Sequence, residues 1–254
     1  MRAIGVIPAR FRSKRFEGKV LADLCGQPII QHVYERACKA SLLDKVLVAT
    51  DDQRIRLAVA AFGGEAVMTS PDHPSGTDRI AEAIRGLDVE VVVNIQGDEP
   101  LIEPSAIDSV ARPLFDDRSI PMATLMRVIS DTQDLENPNV VKVVTDKNGF
   151  ALYFSRSTIP YPRDLVDYPV YGHIGVYAYR KDFLLSFVKL EPSGLEKMER
   201  LEQLRALENG FRIKVLKFEN YQGLGVDTPE DLERLKNILL GKKGGDRKSE
   251  HFDN

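Results

Sequence analysis

Cysteine is scarce in this sequence, and long apolar runs are missing from it. Cys25 and Cys38 are the only two cysteines among 254 residues. Two isolated cysteines exclude a disulfide framework and a Cys-x-x-Cys metal site. They predict free thiols in a reducing cytoplasm. No apolar run approaches the roughly 20 residues that a membrane helix needs. The sequence also starts directly in a strand pattern rather than a signal peptide. We therefore expect a cytoplasmic protein with no membrane partner.

The charges nearly balance, which excludes a general attraction to nucleic acid. The formal net charge is −3, so we predict no nucleic-acid partner. The length fits one large α/β domain or two small ones. Because no internal repeat and no Pro-rich or Ser-rich linker divides the chain, we predict a single domain over residues 1–240. Residues 241–254 lack apolar periodicity and are predicted to form a disordered tail.

Strand and helix patterns alternate in the first half of the chain. Apolar, β-branched runs at 3–7, 46–50 and 89–95 predict buried strands, with a short strand at 65–69. Repeated strand–helix units imply a mostly parallel sheet with helices on both faces. The helices predicted from apolar periodicity and capping residues cover 28–40, 53–62, 77–85 and 104–115.

The second half contains several consecutive strand patterns, which predict an antiparallel extension of the same sheet. We expect residues 1–115 to bind one substrate. We expect the antiparallel extension, about 120–220, to bind a second substrate and to form a dimer interface. Helix and strand patterns then alternate again. The predicted strands cover 122–128, 140–145, 151–154, 173–179 and 212–218, and the predicted helices cover 181–188, 194–208 and 228–239.

A cluster of cations follows the first predicted strand. Pro8 ends this strand because it has no N–H for a sheet ladder. The loop then lies at the carboxyl edge of the sheet, where open α/β sheets bind ligands. Converging cations at that edge predict a polyphosphate ligand, and the alternative is a solvated loop with scattered charge. The cations are Arg10, Arg12, Lys14, Arg15 and Lys19.

Neither common phosphate loop is present here. The P-loop pattern requires glycine where Ser13 stands and Ser or Thr where Val20 follows Gly18-Lys19. The dinucleotide pattern Gly-x-Gly-x-x-Gly is also missing after this strand.

Two aspartates are candidates for a metal site. Asp98 follows the predicted strand at 89–95, on the same sheet edge as the basic loop, and Mg²⁺ binds one or two carboxylates together with phosphate oxygens. The alternative for Asp98 is an ordinary acidic turn. Asp227 precedes the last predicted helix, and from the residues alone a helix start is as good an interpretation as a metal ligand.

Other polar residues carry two interpretations each. Ser75, Gly76 and Thr77 suit close approach to a base or ribose, but Ser75 or Thr77 equally suits a helix cap. His173 lies on an apolar strand, where a partly buried histidine with satisfied hydrogen bonds is the default. The pair Glu202-Gln203 is by default a solvated helix face.

The ordered set of motifs resembles the 3-deoxy-manno-octulosonate (KDO) cytidylyltransferases, which belong to the sugar nucleotidyltransferases. The resemblance runs from Ile4 to about Leu239. Three departures are small: Val20 replaces a usual proline, Tyr161 a frequent Trp, and Asp78 a commoner Glu. The motifs are Ile-Pro-Ala-Arg10, Ala-Thr-Asp-Asp52, Ser-Gly-Thr77, Gln-Gly-Asp-Glu-Pro100, Ala-Leu-Tyr-Phe-Ser-Arg156, His-Ile-Gly-Val-Tyr177, Leu-Glu-Gln-Leu-Arg205 and Gly-Val-Asp-Thr-Pro-Glu-Asp-Leu232.

The resemblance implies a Rossmann-like three-layer α/β fold and transfer of CMP from CTP to KDO in a homodimer. It assigns Mg²⁺ to Asp98 and Asp227, and it makes both aspartates catalytic together with Arg10, Arg15 and Lys19. A CMP-sialic acid synthetase and a non-catalytic CTP sensor remain as alternatives. The residues implied for CTP are Pro8, Ala9, Arg10, Ser13, Lys19, Ser75, Gly76, Thr77, Arg79 and Gln96, and those for KDO are Arg156, His173, Tyr177, Glu202 and Gln203.

Overall fold

A nine-stranded β-sheet organises the chain. The computed structural model describes residues 1–12, 15–164, 168–219, 221 and 223–241. Within these residues nine strands join in one sheet, and two further strands form a small hairpin. Ser13, which the resemblance assigns to CTP, and the predicted tail beyond residue 241 lie outside the described residues.

The strand bounds agree closely with the apolar patterns in the sequence, but the predicted end of the first strand at Pro8 is wrong. The strand continues to Ala9, because Pro8 and Ala9 still pair with Ala49 and Thr50 of the neighbouring strand. The short hairpin β2–β3 has no predicted counterpart. The strands are β1 (Ala3–Ala9), β2 (Asp23–Leu24), β3 (Gln27–Pro28), β4 (Lys45–Thr50), β5 (Ala66–Met68), β6 (Val91–Asn94), β7 (Met122–Val128), β8 (Lys142–Thr145), β9 (Ala151–Ser155), β10 (Tyr171–Arg180) and β11 (Ile213–Lys217).

The helices also follow the predicted order, with one short helix, α5, that the sequence did not predict. A single 3₁₀ turn covers Lys19–Leu21. The α-helices are α1 (Ile29–Ala37), α2 (Gln53–Ala61), α3 (Gly76–Ile84), α4 (Pro104–Asp116), α5 (Thr132–Glu136), α6 (Lys181–Phe187), α7 (Gly194–Glu199), α8 (Gln203–Glu208) and α9 (Pro229–Leu239).

The sheet has the order β11-β7-β10-β6-β1-β4-β5, with β8 and β9 beside β10. Strands β5, β4, β1 and β6 are parallel to one another, as the repeated strand–helix units predict. Strand β10 runs antiparallel to both β6 and β7, and β8 and β9 add an antiparallel hairpin. The predicted antiparallel portion is therefore confirmed. Strand β11, whose orientation was not predicted, is parallel to β7, and both run in the same direction as β1.

Alternate residues of the central strand point into two separate hydrophobic cores. Ala3 and Ile7 of β1 pack with α1, α4 and α9. Ile4 and Val6, on the other face, pack with α3, α6 and α8. Both faces of β1 are thus covered, which explains why its sequence is almost continuously apolar. Helix, sheet and helix form the three layers that the resemblance implies.

The predicted helix over 194–208 is wrong in one respect, because two short helices replace it. Arg200 ends α7 in the left-handed conformation, at φ 52°. The Arg156 guanidinium donates to the carbonyls of Glu199 and Arg200, at 2.7 and 3.4 Å. It therefore satisfies carbonyl groups that a continuous helix would have bonded internally.

The carboxyl ends of β1, β4 and β6 meet at one edge of the sheet because these strands are parallel. Arg10, Asp51 and Gln96 follow them closely in sequence, so side chains from distant segments converge there. This edge carries a cleft, described below. None of the helices in the described ranges is long and apolar enough to cross a membrane.

Candidate active site

A cleft of about 770 Å³ opens at the carboxyl edge of the sheet. It combines the basic loop after β1, the turn before α3, the turn after β6 and the segment before α9. Most residues that the sequence assigned to CTP or metal line it. These are Pro8, Ala9, Arg10, Arg15, Lys19, Ser75, Gly76, Arg79, Gln96, Asp98 and Asp227.

Lys19 lies between the two predicted metal ligands. Its Nζ donates to Asp98 Oδ2 and, at 3.1 Å, to Asp227 Oδ1. Arg15 contacts the other oxygen of Asp227 at 2.9 Å. The Lys19 side chain is only 15% exposed, so water screens its charge less than that of a surface lysine. Cations and carboxylates thus alternate within one small volume.

Backbone contacts bring the two aspartates together from distant parts of the chain. Gly97 packs against the end of β1, where a Cβ would lie 3.1 Å from the Pro8 carbonyl oxygen. The Val226 N–H donates to the Asp98 carbonyl at 2.8 Å. Thr228 then caps α9 in a capping box with Asp231. Asp227 is therefore held between a strand-like bond and a helix start, and both interpretations of this segment are compatible.

The N-terminus of α3 also faces the cleft. Ser75 is the N-cap, and its Oγ accepts from the Asp78 N–H at 3.2 Å. The predicted capping role of Ser75 is therefore confirmed. The free N–H groups and the helix dipole favour an anion at this end. Thr77 differs, because it is buried and its hydroxyl donates to Glu202 rather than lining the cleft.

Arg79 lines the cleft with most of its guanidinium already engaged. It is 4% exposed. It donates to Thr69 Oγ1 at 2.6 Å and contacts Asp51 Oδ2 at 3.2 Å. These partners lie after β4 and β5, so Arg79 ties two strand ends to α3. Its contacts fit a role in holding the cleft wall.

His73 is a cleft residue to which the sequence argument gave no role. Its Nε2 bonds Glu82 Oε2, and Glu82 also accepts the Ser70 N–H at 2.9 Å. The Ser70 N–H and then His73 hold the pKa of Glu82 below its usual value. The sequence shows the segment Asp72-His73-Pro74 directly before Ser75. Glu82, however, lies nine positions after His73 on α3, and no sequence motif links the two residues.

A second polar cluster lies beneath the cleft, on β10 and the start of α8. The rings of His173 and Tyr177 are 5.3 Å apart. Thr77 connects the cluster to α3 through its bond to Glu202. Gln96, at the cleft, donates to the Gly175 carbonyl of β10 at 3.2 Å. Three residues that the resemblance assigned to KDO, which are His173, Tyr177 and Glu202, are therefore neighbours, and Gln96 lies between them and the cleft.

Desolvation shapes the titration of this cluster. It lowers the pKa of His173 to about 3, so the imidazole is neutral. It raises the pKa of Tyr177, and it raises that of Glu202 against the opposing Thr77 hydrogen bond. His173 Nε2 lies 2.9 Å from Thr124 Oγ1. The default of a histidine with a satisfied hydrogen bond therefore holds.

Two predicted sugar residues lie in different surroundings. Gln203 is 5% exposed and its Nε2 has no hydrogen-bond partner among the described residues, so the default of a solvated helix face is wrong for it. Arg156 is absent from the described lining of the cleft. Its guanidinium donates to three backbone carbonyls, including Pro138 at 2.8 Å. An arginine fork for a sugar carboxylate stays a prediction.

Comparison with known proteins decides the family. Residues 4–216 match the profile described as Cytidylyltransferase. The chain belongs to the cytidylyltransferase family. A 3-deoxy-manno-octulosonate cytidylyltransferase of Geotalea uraniireducens is 54% identical over 246 residues, covering 92% of this chain and 98% of that one. The enzyme of the same name from Syntrophotalea carbinolica is 52% identical over 250 residues, covering 95% and 100%.

Solved structures agree with this family and with its fold. CMP:2-keto-3-deoxy-manno-octonic acid synthetase complexed with CTP superposes with a TM-score of 0.91 at 43% identity, covering 96% of this chain and 100% of that one. A cytidylyltransferase from Leptospira borgpetersenii has a TM-score of 0.62 at 17% identity, covering 96% and 89%, and shows the fold alone. The predicted family, enzyme class and nucleotidyltransferase fold are confirmed for this cytidylyltransferase.

Proposed function

We propose that this cytidylyltransferase transfers CMP from CTP to KDO. The anomeric hydroxyl of the sugar attacks the α-phosphorus and gives up its proton to solvent, the bond from that phosphorus to the bridging oxygen of the β-phosphate breaks, and pyrophosphate leaves. The observation that carries the proposal is the connection between the cleft and β10. Gln96 lines the cleft together with its cations and carboxylates, and it donates to Gly175 of β10, the strand that also carries His173 and Tyr177.

The cleft would hold the triphosphate mainly by charge. Arg10, Arg15 and Lys19 bring positive charge to the carboxyl edge of β1, and the N-terminus of α3 adds N–H donors. Phosphoryl-type transfer needs little covalent help from a protein, so positioning and charge neutralisation carry most of the catalysis. The same cations would stabilise pyrophosphate as it departs.

The donor set fits a divalent metal ion, and we propose Mg²⁺. A single cationic atom, Lys19 Nζ, already reaches both Asp98 and Asp227, so one ion between them can contact both carboxylates. No group of three or more His, Cys, Asp or Glu side chains suitable for a metal occurs in the described part of the chain. Two carboxylates suit Mg²⁺, which takes its other ligands from phosphate and water. When bound, it supplies charge neutralisation and lowers the pKa of the attacking hydroxyl.

The sugar would lie against β10 and the start of α8. His173, Tyr177 and Glu202 offer a neutral imidazole, a phenol and a carboxyl group that match sugar hydroxyls. We keep Arg156 and Gln203 as proposed KDO residues. Because Arg156 already donates to three carbonyls, it would have to exchange one of them for the sugar carboxylate.

We also propose a homodimer located in the cytoplasm. Several large apolar side chains of the second half are exposed, and association with a second chain would remove such side chains from water. They are Leu152 at 62%, Tyr161 at 84%, Tyr168 at 61% and Met198 at 83% exposed.

A pyrophosphate-release assay tests the reaction. The enzyme is incubated with Mg²⁺, CTP or UTP, and a panel of keto-sugar acids, with Asp98→Asn as the impaired variant. Asp116→Asn, on the exposed end of α4, is the matched control. We expect release only with CTP and KDO. Release with sialic acid instead of KDO would indicate the neighbouring synthetase, and CTP binding without any release would indicate a sensor.

A further inference from the structure

The segment that carries Asp227 is attached to the Asp98 loop by a side-chain pair outside the cleft. Tyr221 Oη donates to Glu99 Oε2 at 2.5 Å. Glu99 is the residue after Asp98, and Tyr221 precedes Asp227 by six positions. Neither Glu99 nor Tyr221 lines the cleft. The pair therefore joins the two acidic segments without occupying the site itself.

The tyrosine ring is fixed in place by packing on two sides. It lies edge-on to Phe218, with ring centroids 6.1 Å apart. On the other side a Cβ on Gly223 would overlap the ring, so only glycine leaves room for it. The hydroxyl is thus held by a rigid ring rather than by a freely rotating side chain.

A backbone bond between the same two segments lies closer to the cleft. The Val226 N–H donates to the Asp98 carbonyl at 2.8 Å. The two hydrogen bonds therefore attach the segment that carries Asp227 to the Asp98 loop at two points, one beside Asp227 and one at Tyr221. Removing the outer bond would leave a single attachment point, about which Asp227 could shift relative to Asp98.

We propose that Tyr221 and Glu99 are positioning residues that set the separation of the Asp98 and Asp227 carboxylates. The inference rests on the proposed metal site. Mg²⁺ demands near-ideal geometry from its ligands, so a small displacement of one carboxylate weakens binding. The pair acts through the two aspartates and touches no substrate.

Mn²⁺ binding tests this proposal without relying on turnover. Free Mn²⁺ is measured by electron paramagnetic resonance during titration of the enzyme with CTP present and no sugar. We expect Tyr221→Phe to weaken Mn²⁺ binding roughly tenfold, as the loss of one positioning hydrogen bond allows. CTP affinity without metal should change less than about twofold, because the cationic groups remain. Tyr34→Phe is the matched control, since it removes a hydroxyl that bonds the Glu65 N–H at 3.1 Å, away from the cleft.

Two Glu99 variants separate positioning from general destabilisation. Glu99→Gln keeps an acceptor for the Tyr221 hydroxyl, so its Mn²⁺ affinity should stay within about threefold of the parent. Glu99→Ala removes the acceptor and should match Tyr221→Phe. The double variant Tyr221→Phe/Glu99→Ala should have the same Mn²⁺ affinity as either single variant, because each substitution removes the same hydrogen bond.

The outcomes distinguish the proposed metal site from the proposed positioning role of Tyr221 and Glu99. If Asp98→Asn binds Mn²⁺ like the parent, the proposed metal site is wrong. If Asp98→Asn loses binding while Tyr221→Phe and Glu99→Ala bind normally, the metal site stands and the positioning role is overturned. Should Tyr221→Phe fail to fold, the Glu99→Gln and Glu99→Ala comparison still decides.

Discussion

The cleft and the polar cluster beneath it are built in opposite ways. The cleft is made of loops and helix starts at strand ends, and its charged groups are partly exposed. The cluster is made of side chains from β10 and α8 that are largely removed from water. The first holds charge with charge, and the second places an imidazole, a phenol and a carboxyl group close together in desolvated surroundings. A nucleoside triphosphate needs charged surroundings like those of the cleft, and a sugar needs hydrogen-bonding groups like those of the cluster.

The strongest test of the cleft removes one carboxylate charge. We expect Asp98→Asn and Asp227→Asn each to reduce kcat by about two orders of magnitude or more, since each loses a proposed metal ligand and leaves Lys19 with one partner fewer. Turnover at saturating Mg²⁺ measures the effect. Thermal unfolding should show an intact fold. Near-normal turnover in either variant would remove that residue from the metal site.

The next test removes a cation. Arg10→Ala and Lys19→Ala should weaken CTP handling by about 1.5–3 kcal/mol each, the cost of a charge-assisted contact to phosphate. Calorimetric CTP binding and the KM for CTP report it. The KM for KDO is the internal control and should change little. If both variants bind and turn over CTP like the parent, Arg10 and Lys19 have no role in CTP binding or catalysis.

The cluster should show the reverse pattern. His173→Ala and Glu202→Ala are expected to raise the KM for KDO roughly tenfold, because each removes a desolvated hydrogen-bonding group, and to leave CTP affinity nearly unchanged. A collapse of CTP binding with a normal KM for KDO would reverse the assignment of the two regions. Arg156→Ala should in addition lower the melting temperature, because three carbonyls lose their donor.

The burial of His173 makes a separate prediction about pH. Desolvation lowers its pKa to about 3 in the folded protein, below the usual histidine value of 6.5. The unfolded chain therefore binds the extra proton first, and stability is full above about pH 6.5 and falls as pH drops towards 3. Between pH 6.5 and 5.0 the parent should lose about 2 kcal/mol more unfolding free energy than His173→Gln. Denaturant unfolding at the two pH values measures this difference, and equal losses would contradict the buried neutral imidazole.

The smallest effect is expected outside both regions. Truncation after Leu240 should leave kcat, both KM values and the melting temperature unchanged, since the removed sequence lacks core-forming residues. A large loss of activity would show that the tail contributes to the site.

Residues near one another in sequence made the cleft largely predictable. Arg10 and Lys19 directly follow a strand pattern, and the turn holding Asp98 follows another, so parallel topology alone brings them to one edge. Asp227 was undecided from the residues, because a capping motif gives the same sequence signal as a metal ligand. Only the contact between Val226 and Asp98 resolves its location.

The cluster was less predictable because its partners are distant along the chain. Glu202 and Gln203 look like an exposed helix face, and nothing local shows that Thr77 bonds Glu202 across 125 positions. The parallel pairing of β11 with β7 was not predicted for a similar reason. Strand patterns give period and burial, but the pairing partner sets orientation. The break at Arg200 depended on Arg156, again a distant donor.

Strand β10 lies between β6 and β7 and is hydrogen-bonded to both. It therefore fixes the distance between the basic loop and the part of the sheet that carries His173 and Tyr177. Adjacent strands are about 4.8 Å apart, so β10 stands about 10 Å from β1, the strand that leads into the basic loop. The hydrogen-bond ladders that β6 makes with both strands hold that interval.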